Sequence, residues 1–262
     1  TKKVAKSLLA QDNILVEETP ISTIGLRTLS NKNILQSKAF KSGLIEVQDE
    51  GSQIISLLTD VNSNMDIIDF CAGAGGKTLA IAALMQNTGH IMAYDISEER
   101  LMRIRPRLKR AGIRNVSIIS PNHNQCLFTN KTKIQADIVI CDVPCSSTGT
   151  WRRHPEKKWN IKENCIKNYS IMQKKILLKA SEFVKPGGKL IYTTCSILPE
   201  ENQDQINWFC GKFNNFSIMS IKETWEKLFD STYPSKNEFI QLSPAQTNTD
   251  GFFCAILKNV GK

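Results

Sequence analysis

The chain has 262 residues, 41% of them hydrophobic and 23% charged, which allows one large domain with a real core and a small appendage. No apolar run approaches the roughly 20 residues of a membrane span, Thr1–Ala10 has no cleavage-site pattern after it, and eight cysteines without regular spacing or a C-x-x-C pair exclude a disulfide framework and predict reduced thiols in the cytoplasm. Lysine and arginine outnumber the acids 34 to 25, a net charge of +9, which suits a polyanion because bound phosphates release counterions.

Residues 1–45 are polar, basic and weakly patterned, and Ile14, Val16, Ile21, Ile24 and Leu26 predict a short strand or two. The segment reads as an accessory region ahead of a domain over 46–262. Thr1 stands where an initiator methionine would, so a fragment of a longer protein is expected. From about residue 50 apolar runs of strand length alternate with helical stretches. Asp66–Cys71 is a predicted buried strand, Lys77–Met85 a helix and His90–Asp95 a second strand. Ser97 is expected to cap a long helix whose first turn carries Glu98 and Glu99, where the helix dipole favours acids. Val116–Ser120 and Ala136–Asp142 are the third and fourth strands. Lys167–Val184 is predicted helical and stopped by Pro186-Gly187-Gly188, with Lys189–Thr194 as the fifth strand. Pro199, followed by Glu200 and Glu201, opens the next helix. Phe216–Ile221 and Phe252–Leu257 close the sheet. This alternation predicts an α/β fold, a mostly parallel, seven-stranded, Rossmann-like sheet with helices on both faces. Ligands of such sheets bind at the carboxyl ends of the strands, near the topological switch point.

The glycine-rich run Cys71-Ala72-Gly73-Ala74-Gly75-Gly76-Lys77-Thr78 lies at such an end and opens a helix. Glycine lets backbone approach a ligand closely, and the helix start offers free N–H groups. A Walker A loop fails because Cys71 stands where glycine is required. A dinucleotide fingerprint matches Gly73 and Gly75 but has Thr78 at the third glycine. The third reading is the loop of a class I methyltransferase. Asp95, ending the next strand, can accept hydrogen bonds from a ribose diol, which fits NAD and S-adenosylmethionine alike.

Two further loops leave strand ends over the same cleft. Asp142-Val143-Pro144-Cys145 follows the fourth strand, and Thr194-Cys195-Ser196 follows the fifth. A single buried cysteine is usually a small apolar residue, but two in polar loops at one crevice suggest thiol chemistry. Carbon 5 of cytosine is a poor nucleophile until a thiolate adds at carbon 6 and turns the ring into an enamine. Such a thiolate needs a lowered pKa, and an acid near N3 and the exocyclic amine would stabilise the intermediate. Asp142 is the candidate acid. A zinc site from Cys141, Cys145 and His154 fits no common ligand spacing, so no metal is expected. A cytosine deaminase fails because His154-Pro155-Glu156 follows Pro144-Cys145 and Thr148 replaces the second cysteine.

Together, Cys71–Lys77, Asp142–Gly149, Arg152-Arg153-His154-Pro155, Thr194-Cys195-Ser196 with Pro199-Glu200-Glu201-Asn202, and Asp250-Gly251-Phe252-Phe253 resemble the Sun-type (RsmB-like) RNA cytosine-5 methyltransferases, above all the bacterial enzymes of small-subunit ribosomal RNA. The match runs in order from about Gly43 to Leu257. The resemblance implies Cys195 as nucleophile, Cys145 as the residue that helps release product, Asp142 at base and cofactor, and S-adenosylmethionine held by the glycine loop (Cys71, Ala72, Gly73, Ala74, Gly75, Gly76, Lys77) and Asp95. Lys77 is also implied at the target base. The chain departs from the family in reading Gly73-Ala74-Gly75-Gly76-Lys77 where Ala-Pro-Gly-Gly-Lys is common. It also lacks an acid after the third strand, where Asn122 is the candidate to meet the adenine amine through its side-chain oxygen. The family's ribosomal enzymes carry an N-terminal RNA-binding extension, of which residues 1–45 have room for only a part.

Seven basic residues from Arg100 to Arg114 crowd one predicted helix, as an RNA-binding surface or a solvated face. The stretch Trp151–Trp159 is more telling. Arg152, Arg153, His154 and Lys158 would hold phosphates while Trp151 stacks on an unpaired base. The expected function is methyl transfer to carbon 5 of cytosine in RNA, ribosomal rather than transfer RNA, by a monomer. The competing readings are an RNA-binding ribosome-assembly factor with the same fold and little turnover, against which the paired cysteines argue, and a dehydrogenase.

Overall fold

The computed structural model describes residues 1–121 and 134–261. Ten strands are β1 (Val16–Glu18), β2 (Leu26–Thr28), β3 (Asp66–Asp69), β4 (His90–Tyr94), β5 (Val116–Ile119), β6 (Ala136–Asp142), β7 (Val184–Thr194), β8 (Phe216–Met219), β9 (Ile240–Leu242) and β10 (Phe252–Asn259). The main sheet runs β5-β4-β3-β6-β7-β10-β8, with β9 on the far part of β10. The pairs from β5 across to β7 are parallel, and β10 is antiparallel to β7, β8 and β9. The strand order reverses between β3 and β6, which sets a crevice at their carboxyl ends.

Side chains alternate between the two faces of each strand, so neighbouring residues enter different cores. Ile67, Ile138, Ile140, Ile191 and Ile256 pack with Ile54, Ile81 and Trp225 from helices Glu50–Leu58, Gly76–Leu84 and Ile221–Leu228. Ile68, Val139, Cys141, Leu190 and Ala255 pack on the other face with Leu177 and Phe209 from helices Glu163–Ser181 and Gln203–Lys212. Each such side chain, fully buried, stabilises the fold by roughly 1.5–3 kcal/mol.

All seven anticipated strands of the sheet are present, and β9 joins them. Several boundaries differ. Pro199 opens a separate 3-10 turn over Pro199–Glu201 rather than the helix itself, which begins at Gln203 because the Asn202 backbone breaks away at φ −118 and ψ −105. The helix after Ser97 is two, Glu98–Met102 and Ile104–Ala111, because Pro106 has no N–H for the Met102 carbonyl. The Ser97 hydroxyl does accept from Arg100 N–H. Helix Glu163–Ser181 starts and ends earlier than expected, and Pro186-Gly187-Gly188 lies inside β7. There the register slips between Ala136/Val184 and Ile138/Lys189, and Gly187 has φ +79, as a bulge requires. Ile221 begins a helix rather than ending a strand.

Residues 1–45 hold helix Lys2–Gln11, the β1–β2 hairpin and a small core of Leu9, Ile14 and Ala39. Glu50 ties the hairpin to the main body, accepting from the Ile21 and Ser22 N–H groups at 2.8 and 3.1 Å and pairing with Arg27 at 3.0 Å.

Candidate active site

A cleft of about 300 Å³ opens at the carboxyl ends of β3, β6 and β7, and the glycine loop, Lys77, Asp142 and Cys195 line it. The loop's shape follows from its glycines. Gly73 and Gly75 have φ of +54 and +84, conformations that L side chains resist. A Cβ on Gly73 would sit 2.5 Å from Arg100 Nη2, and one on Gly75 2.8 Å from Ile104. Gly75 thus faces Ile104, behind the loop, while Cys71, Ala72, Gly73, Ala74 and Gly76 form the wall. Asp95 is 4% exposed, and its two oxygens accept from the Gly73 and Ser97 N–H groups, each at 2.8 Å. Its carboxylate thus shapes the loop from behind and is not among the residues that line the cleft, whose wall it reaches through Gly73. Asn122 lies outside the described residues.

Lys77 is buried and reaches Asp142 at 2.7 Å, with its ammonium 5.2 Å from the Phe252 ring. Burial favours the neutral amine, but the Asp142 carboxylate outweighs it, so the Lys77 pKa is raised. The cation therefore stays at the cleft floor.

The two cysteines meet. Their sulfurs are 3.4 Å apart, and Cys195 lies 3.5 Å from Ser147 Oγ. The hydrogen bond from Cys145 is the largest influence on Cys195, and with Ser147 and Lys77 it brings that thiol down to about 7 against the effect of burial. The same hydrogen bond, with burial, pushes Cys145 well above the ordinary thiol range. Cys195 is therefore the member of the pair that ionises near neutral pH while Cys145 keeps its proton, and of the two only Cys195 lines the cleft. Cys71 is partly buried at the cleft wall, and desolvation raises its thiol well above the ordinary range.

Sequence reasoning missed two groups here. Asp69, at the end of β3, is 1% exposed and accepts from Thr78 Oγ1 at 2.6 Å, while its Oδ1 is buried without a hydrogen-bond partner. Burial pushes its pKa up to about 7. Its signal was an acid at the carboxyl end of an apolar strand. Arg100 folds over Gly73 into the cleft, 3.9 Å from Asp95. Only its spacing from Asp95 set it apart from the other arginines of its helix.

Several cations of that basic run are committed to carboxylates. Arg103 pairs with Glu99 at 2.5 Å, and Arg107 and Arg110 both pair with Glu46. Arg152 and Arg153 are also committed: Asp250, fully buried, accepts from the Nε of each at 2.5 and 2.6 Å, and Arg152 reaches Asp49 at 2.8 Å. Arg153 nevertheless lines the cleft. His154 is half exposed beside Glu156. Lys158 lies over the rings of Trp151 and Trp159 at 6.0 and 5.7 Å. Trp159 is 83% exposed, whereas the indole nitrogen of Trp151 is buried without a partner, so Trp159 is the more accessible stacking surface. Among the described residues no group of three or more His, Cys, Asp or Glu is arranged to hold a metal, and no helix is long and apolar enough to cross a membrane.

Residues 55–258 match the family described as 16S rRNA methyltransferase RsmB/F. The chain is 32% identical over 248 residues to ribosomal RNA small subunit methyltransferase B of Yersinia pseudotuberculosis, covering 95% of this chain and 54% of that protein. It thus spans about half the length of the curated relatives it matches. A methyltransferase homolog protein from Pyrococcus horikoshii superposes with a TM-score of 0.81 at 27% identity, over 99% of this chain and 83% of that one. NSun6 from the same organism, solved with SFG, gives 0.75 at 26% identity, over 92% and 61%.

Proposed function

The chain belongs to the 16S rRNA methyltransferase RsmB/F family, and from that premise we propose that it methylates carbon 5 of a cytosine in small-subunit ribosomal RNA. The observation that carries this reading is the split cysteine pair beside the Lys77–Asp142 ion pair. S-adenosylmethionine bound in the cleft supplies the electrophilic methyl group. The glycine cradle fits it, since Gly73, Ala74 and Gly76 line the cleft, a Cβ on Gly73 would collide with Arg100, and Gly75 lets the loop pack back onto Ile104. The unpartnered Asp69 Oδ1 offers an acceptor to a cationic end, and Arg100 reaches into the same cleft beside Asp95, which holds Gly73 in place.

Cys195 Sγ adds to carbon 6, forming the S–C6 bond and placing the electron pair on carbon 5. Asp142 accepts from the exocyclic amine, and Lys77 steadies the charge that develops on the ring. After methylation a water molecule acting as base takes the carbon 5 proton, the C–H electron pair re-forms the C5–C6 double bond, and the S–C6 electrons return to Cys195. The Cys145 thiol donates to that departing sulfur. A thiol of lower pKa leaves faster, so the hydrogen bond that prepares Cys195 for attack also assists its release.

The base must be unpaired or flipped out to be attacked. Trp159, Lys158 and Arg153 at the cleft's rim suit an unstacked RNA segment, and we assign residues 1–45 to an RNA-binding accessory region. The cysteines recorded as free suit a reducing cytoplasm. Incubation with methyl-labelled S-adenosylmethionine and unmodified small-subunit RNA should yield labelled 5-methylcytosine. RNA binding without label transfer would favour the assembly-factor reading.

A further inference from the structure

The Pro199-Glu200-Glu201-Asn202 motif has no part in the chemistry above, yet Glu201 and Asn202 are both fully buried between the two cysteine loops. A buried carboxylate is costly unless hydrogen bonds satisfy it, and among the described residues no cation pairs with Glu201. Its oxygens instead accept from Ser146 N–H at 2.8 Å, from the Ser146 hydroxyl, and from Gln173 Nε2 at 3.2 Å. Gln173 also donates to the Pro144 carbonyl at 3.0 Å. The two residues that flank Cys145 are therefore gripped from one side.

Asn202 does the same for the other loop. Its Oδ1 accepts from Thr194 Oγ1 at 2.6 Å, and its Nδ2 donates to the Ser196 carbonyl at 2.9 Å. Thr194 and Ser196 are the residues that flank Cys195. Neither Glu201 nor Asn202 is among the residues lining the cleft, so neither meets substrate. The two loops also touch directly. Gly149 N–H donates to the Cys195 carbonyl at 2.9 Å, Ser146 Oγ lies 3.3 Å and Thr148 Oγ1 3.0 Å from Ser196 Oγ, and Thr148 Oγ1 accepts from Ile197 N–H at 3.0 Å.

We infer that Glu201 and Asn202 are positioning residues with separate tasks, Glu201 fixing Cys145 for product release and Asn202 fixing Cys195 for attack. Adjacent in the chain, they set the 3.4 Å spacing from one point. The inference rests on the proposed roles of the two cysteines. A group displaced by about 1 Å loses on the order of a hundred-fold in rate, and each variant should impose that loss on a different step.

The test is a single-turnover reaction of the full chain with methyl-labelled S-adenosylmethionine and small-subunit RNA, followed by denaturing electrophoresis. Glu201→Gln, with Ser146→Ala as a milder variant, should form the methylated adduct within about threefold of the parent rate but release it roughly ten- to a hundred-fold more slowly. Asn202→Asp, with Thr194→Val as its milder partner, should slow adduct formation by a similar factor and accumulate none. A general loosening of the fold would slow both steps in every variant, and that result overturns the inference. Cys145→Ser is the reference. If it accumulates an adduct and neither Glu201→Gln nor Ser146→Ala does, the inference alone fails. If it accumulates none, the release role of Cys145 fails and takes the inference with it.

Discussion

The floor of the cleft and the basic rim above it are built from similarly polar residues under opposite rules. On the floor Lys77, and in the layer beneath it Glu201 and Asn202, are at most 5% exposed, and each is held by named partners. Without water a polar atom must find a protein partner or leave its desolvation uncompensated, so distances there are fixed. On the rim, Arg103, 63% exposed, takes whatever carboxylate is near. Arg107 and Arg110 share Glu46, and Arg152 and Arg153 share Asp250. A count of cations in the sequence therefore overstates the charge free to meet RNA, whereas Lys77, Glu201 and Asn202 are each satisfied within the protein, with Asp69 Oδ1 left unpartnered beside them.

Substitutions on the floor should be severe and specific to one step. Cys195→Ala should abolish methyl transfer and the covalent adduct while RNA and cofactor still bind. Residual transfer by that variant in a labelled-methyl assay would make Cys145 the nucleophile. Attack should follow the Cys195 thiolate, so the single-turnover rate should rise as pH rises through about 7. Because the Cys145 thiol is the largest influence lowering that value, Cys145→Ala should move the rise to higher pH and leave a persistent adduct. An unmoved profile would show that the sulfur contact does not set the thiol's acidity.

Asp69 extends the contrast to stability. Its pKa stands at about 7 when folded against 3.8 ordinarily. A raised carboxyl contributes stability that is complete below 3.8 and lost as pH rises through about 7. Asp69→Asn should remove that loss and gain on the order of a few kcal/mol above neutrality, read as a flatter pH dependence of thermal unfolding. The gain should come with weaker cofactor binding.

On the rim the effects should be graded. Trp159→Ala should weaken RNA binding by about 1–3 kcal/mol, the worth of one stacked base, measured by fluorescence titration. Arg152→Ala with Arg153→Ala should lower the dependence of log affinity on log salt by at most about two phosphates. A drop of about two would mean that the Asp250 pairs open on RNA binding, and a drop near zero that they hold. Arg103→Ala, which breaks an exposed i,i+4 pair, should cost no more than about 0.5 kcal/mol and leave RNA affinity unchanged.

What was legible in the sequence was local. Apolar period placed seven strands, the Ser97 cap was where its hydroxyl and the two glutamates implied, and the cysteine loops left adjacent strands as expected. What was hidden depended on distant partners. Asp250 lies 98 residues from Arg152, and nothing near either residue announces the pair. Glu201 read as a helix-opening acid because its true donors, Ser146 and Gln173, come from other segments. The break at Pro106 was a local signal outweighed by the periodicity around it.

β10 lies between β7 and β8, although it follows both in the chain. It brings Phe252 to the cleft and follows directly on Asp250, the anchor of both rim arginines. A nascent chain that has reached Asn202 already contains the glycine loop, both cysteines and the residues that bracket them. Yet β7 still presents an open edge, and Arg152 and Arg153 have no Asp250. Unpaired strand edges are the adhesive parts of a partly folded protein, so this stretch of synthesis is the vulnerable one. Antiparallel pairing of six residues from Lys189 to Thr194 with Lys258 to Phe253 closes it. Activity and resistance to aggregation should therefore arrive together and late, and a truncation just before Phe252 would remove a central strand of the sheet along with one wall of its cleft.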